Sequence, residues 1–508
     1  MAELFLGVDL GTGGCKLTIV DAKKGVIGEH SKEYASHNPH PGWSEQEPSD
    51  WMEAFHACFE SLREKAKFDP RDIRALCPDA STHNAVLLDE NDRVLRRCIM
   101  WNDQRSFAEA EWLNENHGKR LFEITFQKAS PTWTLPQLLW IKNNEAELFS
   151  KIHRIAFTKD YLRYLITGIW STEYVDAGGS MLMDFTSREW SAEVCDILGL
   201  PLSALPPIGA PTDIVGRVRP EIAKRMGLND DVEVIAGASD TCIEDLAAGV
   251  LRAGQCIVKL ATAGNFNVFT DEPAPNAFSF CYNYVVPGLY YAAMATNAAA
   301  SSFRWFRDNV VRRVAPGMVF DGIEKFAHEV PPGSDGVIYH PYLNGERAPY
   351  FDAHLRANFF GLSSFHDLRH MTRAVLEGVA YSLKDCMKTA SSVGLVPDEV
   401  RLIGGGGKSP LWCQIVADVL DRPVIKLRND DSSLGSAMLA GVGSGAFADF
   451  ADAVRVCSVV EHTYTPLPEN ADRYDEMFAV YKDIQANLAP IHVRMHDILQ
   501  NQRIEDRR

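Results

Sequence analysis

Asp240 closes a run of small residues, Gly237-Ala-Ser-Asp240, that follows the apolar stretch Val232–Ala236. A carboxylate at a strand end beside such a turn can take a proton from an attacking alcohol or hold a metal ion. Aspartates in small-residue turns also cap helices, so the position alone leaves both readings open. Three further segments have the chemistry of phosphate or nucleotide cradles. In the first, the strand-like Leu4–Asp9 runs into Leu10-Gly-Thr-Gly-Gly14 and then into a second strand-like stretch, Cys15–Val20. This strand–turn–strand order differs from the strand–turn–helix of dinucleotide binders and from a Walker A loop. At its tip, Gly11, Thr12 and Gly13 can offer backbone N–H groups and a hydroxyl to phosphate oxygens. Lys16 adds a cation, and Asp9 is a hard oxygen ligand suited to Mg²⁺. An ordinary hairpin would carry the same residues.

The second cradle repeats the pattern in Cys256–Gly264, with Thr262 at its tip. The third is Val400–Leu411, where a short apolar strand meets four consecutive glycines, Gly404 to Gly407. A helix with an apolar stripe (Leu411, Trp412, Ile415, Val416, Val419) is predicted to start near Ser409. Gly405 and Gly406 would let a ligand lie against bare backbone, and the amides of the helix start favour polar or anionic groups.

Polar residues suited to a polyol sit in Thr82-His83-Asn84. An imidazole donates or accepts, and an amide does both. Trp43, Trp101 and Trp133 can pack against sugar C–H faces or can be core. Asp103 with Arg105, and Glu346 with Arg347, read as local ion pairs of small energetic weight.

The elements that must hold these residues suggest a duplicated layout. Residues 1–30 alternate like a three-strand meander. Further strands are predicted at Ile73–Cys77 and Asn84–Asp89, and helices at Ser49–Ala66 and Arg373–Lys388. A second half opens near Val232 with the same strand–turn–strand order. A chain of 508 residues exceeds what one core usually serves, so two large domains are expected, with the boundary near residue 246. The charged stretch Ile498–Arg508 is expected to fray.

Composition limits the partners. The net charge of −17 argues against nucleic acid and anionic membrane, and no segment is long and apolar enough for a bilayer. Eleven scattered cysteines without a CxxC read as buried thiols in a reducing compartment. With no signal peptide evident in Met-Ala-Glu-Leu, a cytoplasmic location is expected.

In order and spacing these segments resemble the FGGY family of carbohydrate kinases, within the actin-like ATPase superfamily. Asp9–Gly14 resembles its first phosphate motif, Gly237–Thr241 the segment of its catalytic aspartate, Ala261–Gly264 its second phosphate motif, and Gly404–Trp412 its adenosine motif. Asp431–Gly441 is similar to the helix that follows. The resemblance implies an α/β fold of two actin-like (ribonuclease H-like) domains, each a mixed sheet flanked by helices, with a cleft between them. The expected division is 1–246 for sugar and first phosphate motif, 247–485 for nucleotide, and 486–508 as a terminal helix or tail. It implies ATP and Mg²⁺ as cofactors, Asp240 as general base, and Thr12, Gly13 and Thr262 on phosphates. Gly405 and Ser409 would border adenosine, with Gly406 allowing close approach. Thr82, His83, Asn84 and Asp240 would meet the sugar, and a homodimer is the expected assembly.

Met100–Arg105 and Pro341–Asp352 resemble xylulokinases more particularly, which implies D-xylulose as acceptor. The chain departs from that pattern at Thr82 and Asn84, where Met and Gly are usual, and at Ser239 and Thr241, where Gly and Asn are usual. Ribulose, L-xylulose, a glycerol-like polyol or a modified sugar therefore stay open as acceptors. So does a catalytically silent sugar sensor, although a sensor would not need Asp9, Thr12, Asp240 and Thr262 together. A partner-driven ATPase would need an extended partner-binding region, and no stretch after residue 450 reads as one.

Overall fold

The N-terminal alternation folds as a meander. In the computed structural model, which describes residues 3–318 and 320–505, β1 (Leu4–Leu10), β2 (Gly14–Asp21) and β3 (Gly25–Glu33) pair antiparallel in chain order. Helix α1 (Pro48–Ala66) has proline in its first turn, ends at a left-handed Lys67 and buries Trp51, Phe55, Phe59 and Leu62. It returns the chain to β4 (Ile73–Ala80), parallel to β1. Residues 81–213 then make an excursion with its own apolar cluster, including Leu87, Leu113, Leu138 and Leu182. This excursion contains the short helix α2 (Tyr174–Gly179). Strands β5 (Ile214–Arg217) and β6 (Glu233–Ile235) complete the sheet in the order β5-β6-β4-β1-β2-β3, with β6 parallel to β4. Helix α3 (Asp240–Ala247) follows.

The second half repeats this plan. A hairpin of β7 (Gln255–Leu260) and β8 (Gly264–Thr270) leads to β9 (Phe280–Asn283) and β10 (Tyr290–Ala295). Helix α4 (Leu368–Ser392) returns the chain to β11 (Glu399–Ile403), parallel to β7. Helix α5 (Pro410–Leu420), β12 (Val424–Leu427), α6 (Ser432–Gly443), β13 (Val460–Tyr464) and α7 (Pro468–Glu505) complete it. The order is β9-β10-β8-β7-β11-β12-β13. Thus β3-β2-β1-β4-β6 of the first sheet corresponds to β10-β8-β7-β11-β12 of the second.

The correspondence corrects the expectation that the second half opens near Val232. Glu233–Ile235 is the fifth strand of the first sheet, and the second hairpin starts at Gln255. Both β6 and β7 run into small-residue turns, which is why they look alike in sequence. The expected fraying of the C-terminus is also corrected. Helix α7 continues through Glu505 without a break at residue 485, and 506–508 lie outside the described residues.

Each sheet has its own core, one around Leu6, Phe55 and Leu76 and the other around Val258, Leu383 and Val416. A third core is built by both halves, with Phe5, Ile235 and Leu246 meeting Ile257, Leu427 and Leu434. Helices α3 and α6 lie in it at backbone distance. A Cβ on Gly7 would fall 1.8 Å from the Ser433 carbonyl oxygen, and one on Gly435 would fall 2.1 Å from that of Ile243. All eleven cysteines are free and buried. Among the described residues no helix is long and apolar enough to cross a membrane.

Gly435→Ala forces α6 off α3 at the junction of the halves. Overpacking of this kind costs about 1–3 kcal/mol. Denaturant unfolding should show that loss, and an unchanged midpoint would contradict the close crossing.

Candidate active site

Between the halves lies a cavity of about 310 Å³, at the small end of ligand sites. The first half lines it with Thr82, His83, Trp101, Trp133 and Ser239–Thr241. The second contributes Lys259, Ala261–Ala263, Asn265, Tyr282 and Arg347.

Asp240 stands in this cavity because Ser239 is the cap of α3 and Asp240 its first residue. A helix N-terminus favours a carboxylate. Its Oδ1 accepts from the Thr241 backbone N–H at 2.6 Å and from the Thr241 hydroxyl at 3.3 Å. Burial pushes its pKa up, and the Lys259 ammonium opposes that rise. Lys259 itself pairs with Glu244, one turn further along α3, whose carboxyl burial pushes up to about 7.

Asp9 and Asp79 are partners in the parallel register of β1 and β4. Burial and the charge of Asp240 push Asp9 up to about 7, and burial and Asp9 push Asp79 well above the carboxylate range. The Ser436 hydroxyl donates to Asp79 Oδ2 at 2.5 Å, while Asp9 Oδ1 and Asp79 Oδ1 are buried without a partner. Lys16, expected as a cofactor-binding cation beside the first hairpin, is paired with Asp431 and, at 3.1 Å, with Glu29.

The hairpin tips are braced from behind. Thr12 Oγ1 accepts from Trp101 Nε1 at 2.9 Å, and its carbonyl accepts from Gln46 Nε2 at 2.7 Å. Gly11 N–H donates to the Gly14 carbonyl at 3.0 Å, and Gly13 faces open space. Thr262 is exposed at the second tip, where its carbonyl accepts from Ala299 N–H at 3.0 Å and Ser301 Oγ at 2.6 Å. The third loop seats directly on the second hairpin. Gly404 has φ 89°, and a Cβ there would lie 2.9 Å from the Leu260 carbonyl oxygen.

Two expectations for that loop are corrected. Gly405 is open, but Gly406 is buried against Leu260 and the Trp412 ring, so its missing side chain serves packing. The Ser409 hydroxyl is buried, where it caps α5 by accepting from Trp412 N–H at 3.1 Å and donates to Glu324 Oε1 at 2.7 Å.

On the opposite wall His83 has φ 72°, and its Nδ1–H donates to the Gly179 carbonyl at the end of α2. Burial lowers its pKa to about 4, so the ring is neutral. With Nδ1 carrying the proton, Nε2 is left as an acceptor. Trp133 stands edge-on to the ring, 4.3 Å between centroids. Helix α2 is fixed at its other end by Glu173, which accepts from Val175 and Asp176 N–H. The fully buried Lys159 ties Glu173 (3.1 Å), Asp176 (2.8 Å) and Asp160 (2.8 Å) together.

Asn84, expected to meet sugar, is buried behind the turn, and its Nδ2 donates to Ser81 O and Oγ at 2.7 and 2.8 Å. It shapes the Thr82–His83 turn and does not line the cavity. Trp43 lies in a separate surface groove under the Arg105 guanidinium, 3.7 Å from the ring centroid. Asp103 and Arg105 do pair, at 2.8 Å. Glu346 and Arg347 do not. Glu346 Oε1 accepts from the backbone N–H of Asn297 and Arg347, and the Arg347 guanidinium turns to the cavity.

Sequence reasoning missed Asp79, Lys259, Tyr282 and the orientation of Arg347. Asp79 had a signal, since it ends its strand as Asp9 does. Lys259 had another, as a lone charge inside the apolar run Cys256–Leu260. Tyr282 had none.

Two half-repeats that place the Thr262 hairpin and a buried aspartate, Asp240, on one cavity define a two-domain phosphotransferase of the actin-like class. Residues 4–246 match the FGGY family of carbohydrate kinases, N-terminal domain, and residues 258–444 its C-terminal domain. Xylulose kinase of Bacillus subtilis is 32% identical over 499 residues, covering 98% of this chain and 99% of that protein. Gluconokinase of the same organism is 28% identical, covering 99% and 97%. The crystal structure of xylulose kinase from Rhodospirillum rubrum superposes with a TM-score of 0.90 at 28% identity, covering 96% of this chain and all of that one. The chain belongs to the FGGY family of carbohydrate kinases.

Two pH effects follow. Asp9 near 7 in the folded protein, against an ordinary unfolded value of about 3.9, costs stability as pH rises through that window. Asp9→Asn should therefore raise the unfolding midpoint in metal-free buffer more at pH 8 than at pH 5, and a larger gain at pH 5 would contradict the burial. Lys259→Met removes the cation that restrains Asp240. The acid limb of kcat/KM should move to higher pH, and an unmoved limb would disconnect Lys259 from that carboxyl.

Proposed function

We propose that this chain transfers the terminal phosphoryl group of ATP to a hydroxyl of a small open-chain sugar, with D-xylulose as acceptor and D-xylulose 5-phosphate as product. The observation that carries the reading is Asp240, a buried carboxylate sharing one small cavity with the Thr262 hairpin and with His83. The similarity to xylulose kinases over nearly the whole chain supports the choice of sugar.

His83 Nε2 accepts from one sugar hydroxyl and Thr82 offers another polar contact. The aromatic wall of Trp133 and Tyr282 takes C–H faces. Asp240 accepts the proton of the hydroxyl that attacks phosphorus, as the bond from phosphorus to the bridging oxygen of the leaving ADP breaks. Backbone N–H groups at Gly11–Gly13 and around Thr262 hold phosphate oxygens, and the open face at Gly405 borders adenosine. Such transfer depends mainly on positioning and charge neutralisation.

The buried, partnerless oxygens of Asp9 and Asp79 fit a divalent cation. Among the described residues no three His, Cys, Asp or Glu side chains form a metal cage. Mg²⁺ is ordinarily held by one or two carboxylates, water and phosphates. When bound there, it supplies neutralising charge to the phosphate oxygens. Eleven unpaired thiols suit a reducing cytoplasm.

One observation favours a second acceptor class. The cavity holds two cationic side chains, Lys259 and Arg347, and the chain is also similar to a gluconokinase. An aldonate therefore belongs in the test.

ADP release should be followed with D-xylulose, D-ribulose, L-xylulose, glycerol and D-gluconate. Asp240→Asn should keep ADP and sugar binding while turnover falls about 10²–10⁴-fold. Near-normal turnover would remove Asp240 from the role of base, and silence toward the whole panel would refute the reading.

A further inference from the structure

We propose that Arg347 is a further catalytic residue, whose guanidinium binds the oxyanion of the phosphoryl group in transfer. The inference rests on the kinase reading of the same cavity.

Arg347 is an arginine with one internal partner. Nη2 donates to the Thr296 carbonyl at 3.0 Å, and Nε is buried with no partner. The neighbouring Glu346 carboxylate acts on the guanidinium through its charge, but makes no ion pair with it. Glu346 Oε1 accepts from the backbone N–H of Asn297 at 2.6 Å and of Arg347 at 2.8 Å. The guanidinium makes no ion pair with any carboxylate among the described residues. A desolvated charge of this kind is costly unless it is paired. The missing partner is an anion brought by the ligand, which the planar fork of N–H donors is shaped to take.

The position selects which anion. Thr296, whose carbonyl Arg347 holds, also accepts through its hydroxyl from Gly264 N–H at 3.1 Å, at the base of the Thr262 hairpin. On its other side the guanidinium charge acts on Tyr282, whose ring stands 6.4 Å from that of His83. Arg347 thus lies between the phosphate hairpin and the sugar wall, on the path of the transferred group. Lys259, the other cation of the cavity, is committed to Glu244.

In the step, the acceptor oxygen forms its bond to phosphorus and its proton passes to Asp240. The bond to the bridging oxygen breaks and ADP leaves with that electron pair. Negative charge on the three equatorial oxygens is met by Arg347. Arginines in this role contribute about 10³–10⁵-fold to turnover. A carboxylate on a sugar acid is the other oxyanion that could sit there.

The test compares wild type, Arg347→Met and Arg347→Lys. Calorimetry with ADP and Mg²⁺, with and without aluminium fluoride as a planar phosphoryl mimic, needs no sugar, so it stands apart from any failure of the acceptor panel. The fluoride should tighten ADP binding in wild type. Arg347→Met should bind ADP alone unchanged but lose that tightening, and Arg347→Lys should recover part of it. With D-xylulose, Arg347→Met should lose kcat by about 10³-fold with little change in KM. Tightening retained in a folded Arg347→Met overturns the proposal. So does a loss confined to D-gluconate with D-xylulose turnover intact, which would assign the guanidinium to a substrate carboxylate.

Discussion

Repulsion among buried carboxylates is the constraint around which the cleft is organised. Asp9, Asp79 and Asp240 are each desolvated; the Asp240 charge raises both of the others, and Asp9 raises Asp79. The cations nearby are largely spoken for, Lys16 by Asp431 and Glu29, and Lys259 by Glu244. The site is thus rich in protonatable oxygen and, apart from the Arg347 guanidinium, poor in unpaired positive charge. Stability is given up at a functional site for chemistry that operates only when the ligands are present.

The duplicated fold makes that concentration of charge possible. β1 and β4 run parallel and end side by side, which brings Asp9 and Asp79 together. The fifth strand, β6, also parallel, delivers α3 and so Asp240 to the same edge. In the second half the equivalent ends carry the Thr262 hairpin, the Gly404–Gly407 loop and the Asp431 cap of α6. Ligand sites outside the carboxyl ends of parallel strands follow the usual rule for α/β sheets.

Much of this was legible in the chain. Small-residue and glycine-rich stretches marked the three turns because tight connections demand them, and apolar periodicity placed α1 and α4. What was not legible depended on three-dimensional neighbours. Gly406 and Gly405 are adjacent and chemically identical, yet one is packed under Trp412 and the other is bare. Ser409 and Asn84 look like ligand contacts until Glu324 and Ser81 are seen to occupy them. Arg347 follows an acid in sequence, which suggests a pair, but the local backbone amides claim that acid first.

The backbone-to-backbone seats at Gly7 and Gly435 fix where the molecule can flex. Any swing of one half against the other must pivot near α3 and α6, because no side chain there can yield. Displacement grows with distance from a pivot, so the Thr262 tip sweeps through a longer arc than the first turn of α3. Asp240 stands in that first turn, so such a swing would move it less than the Thr262 tip.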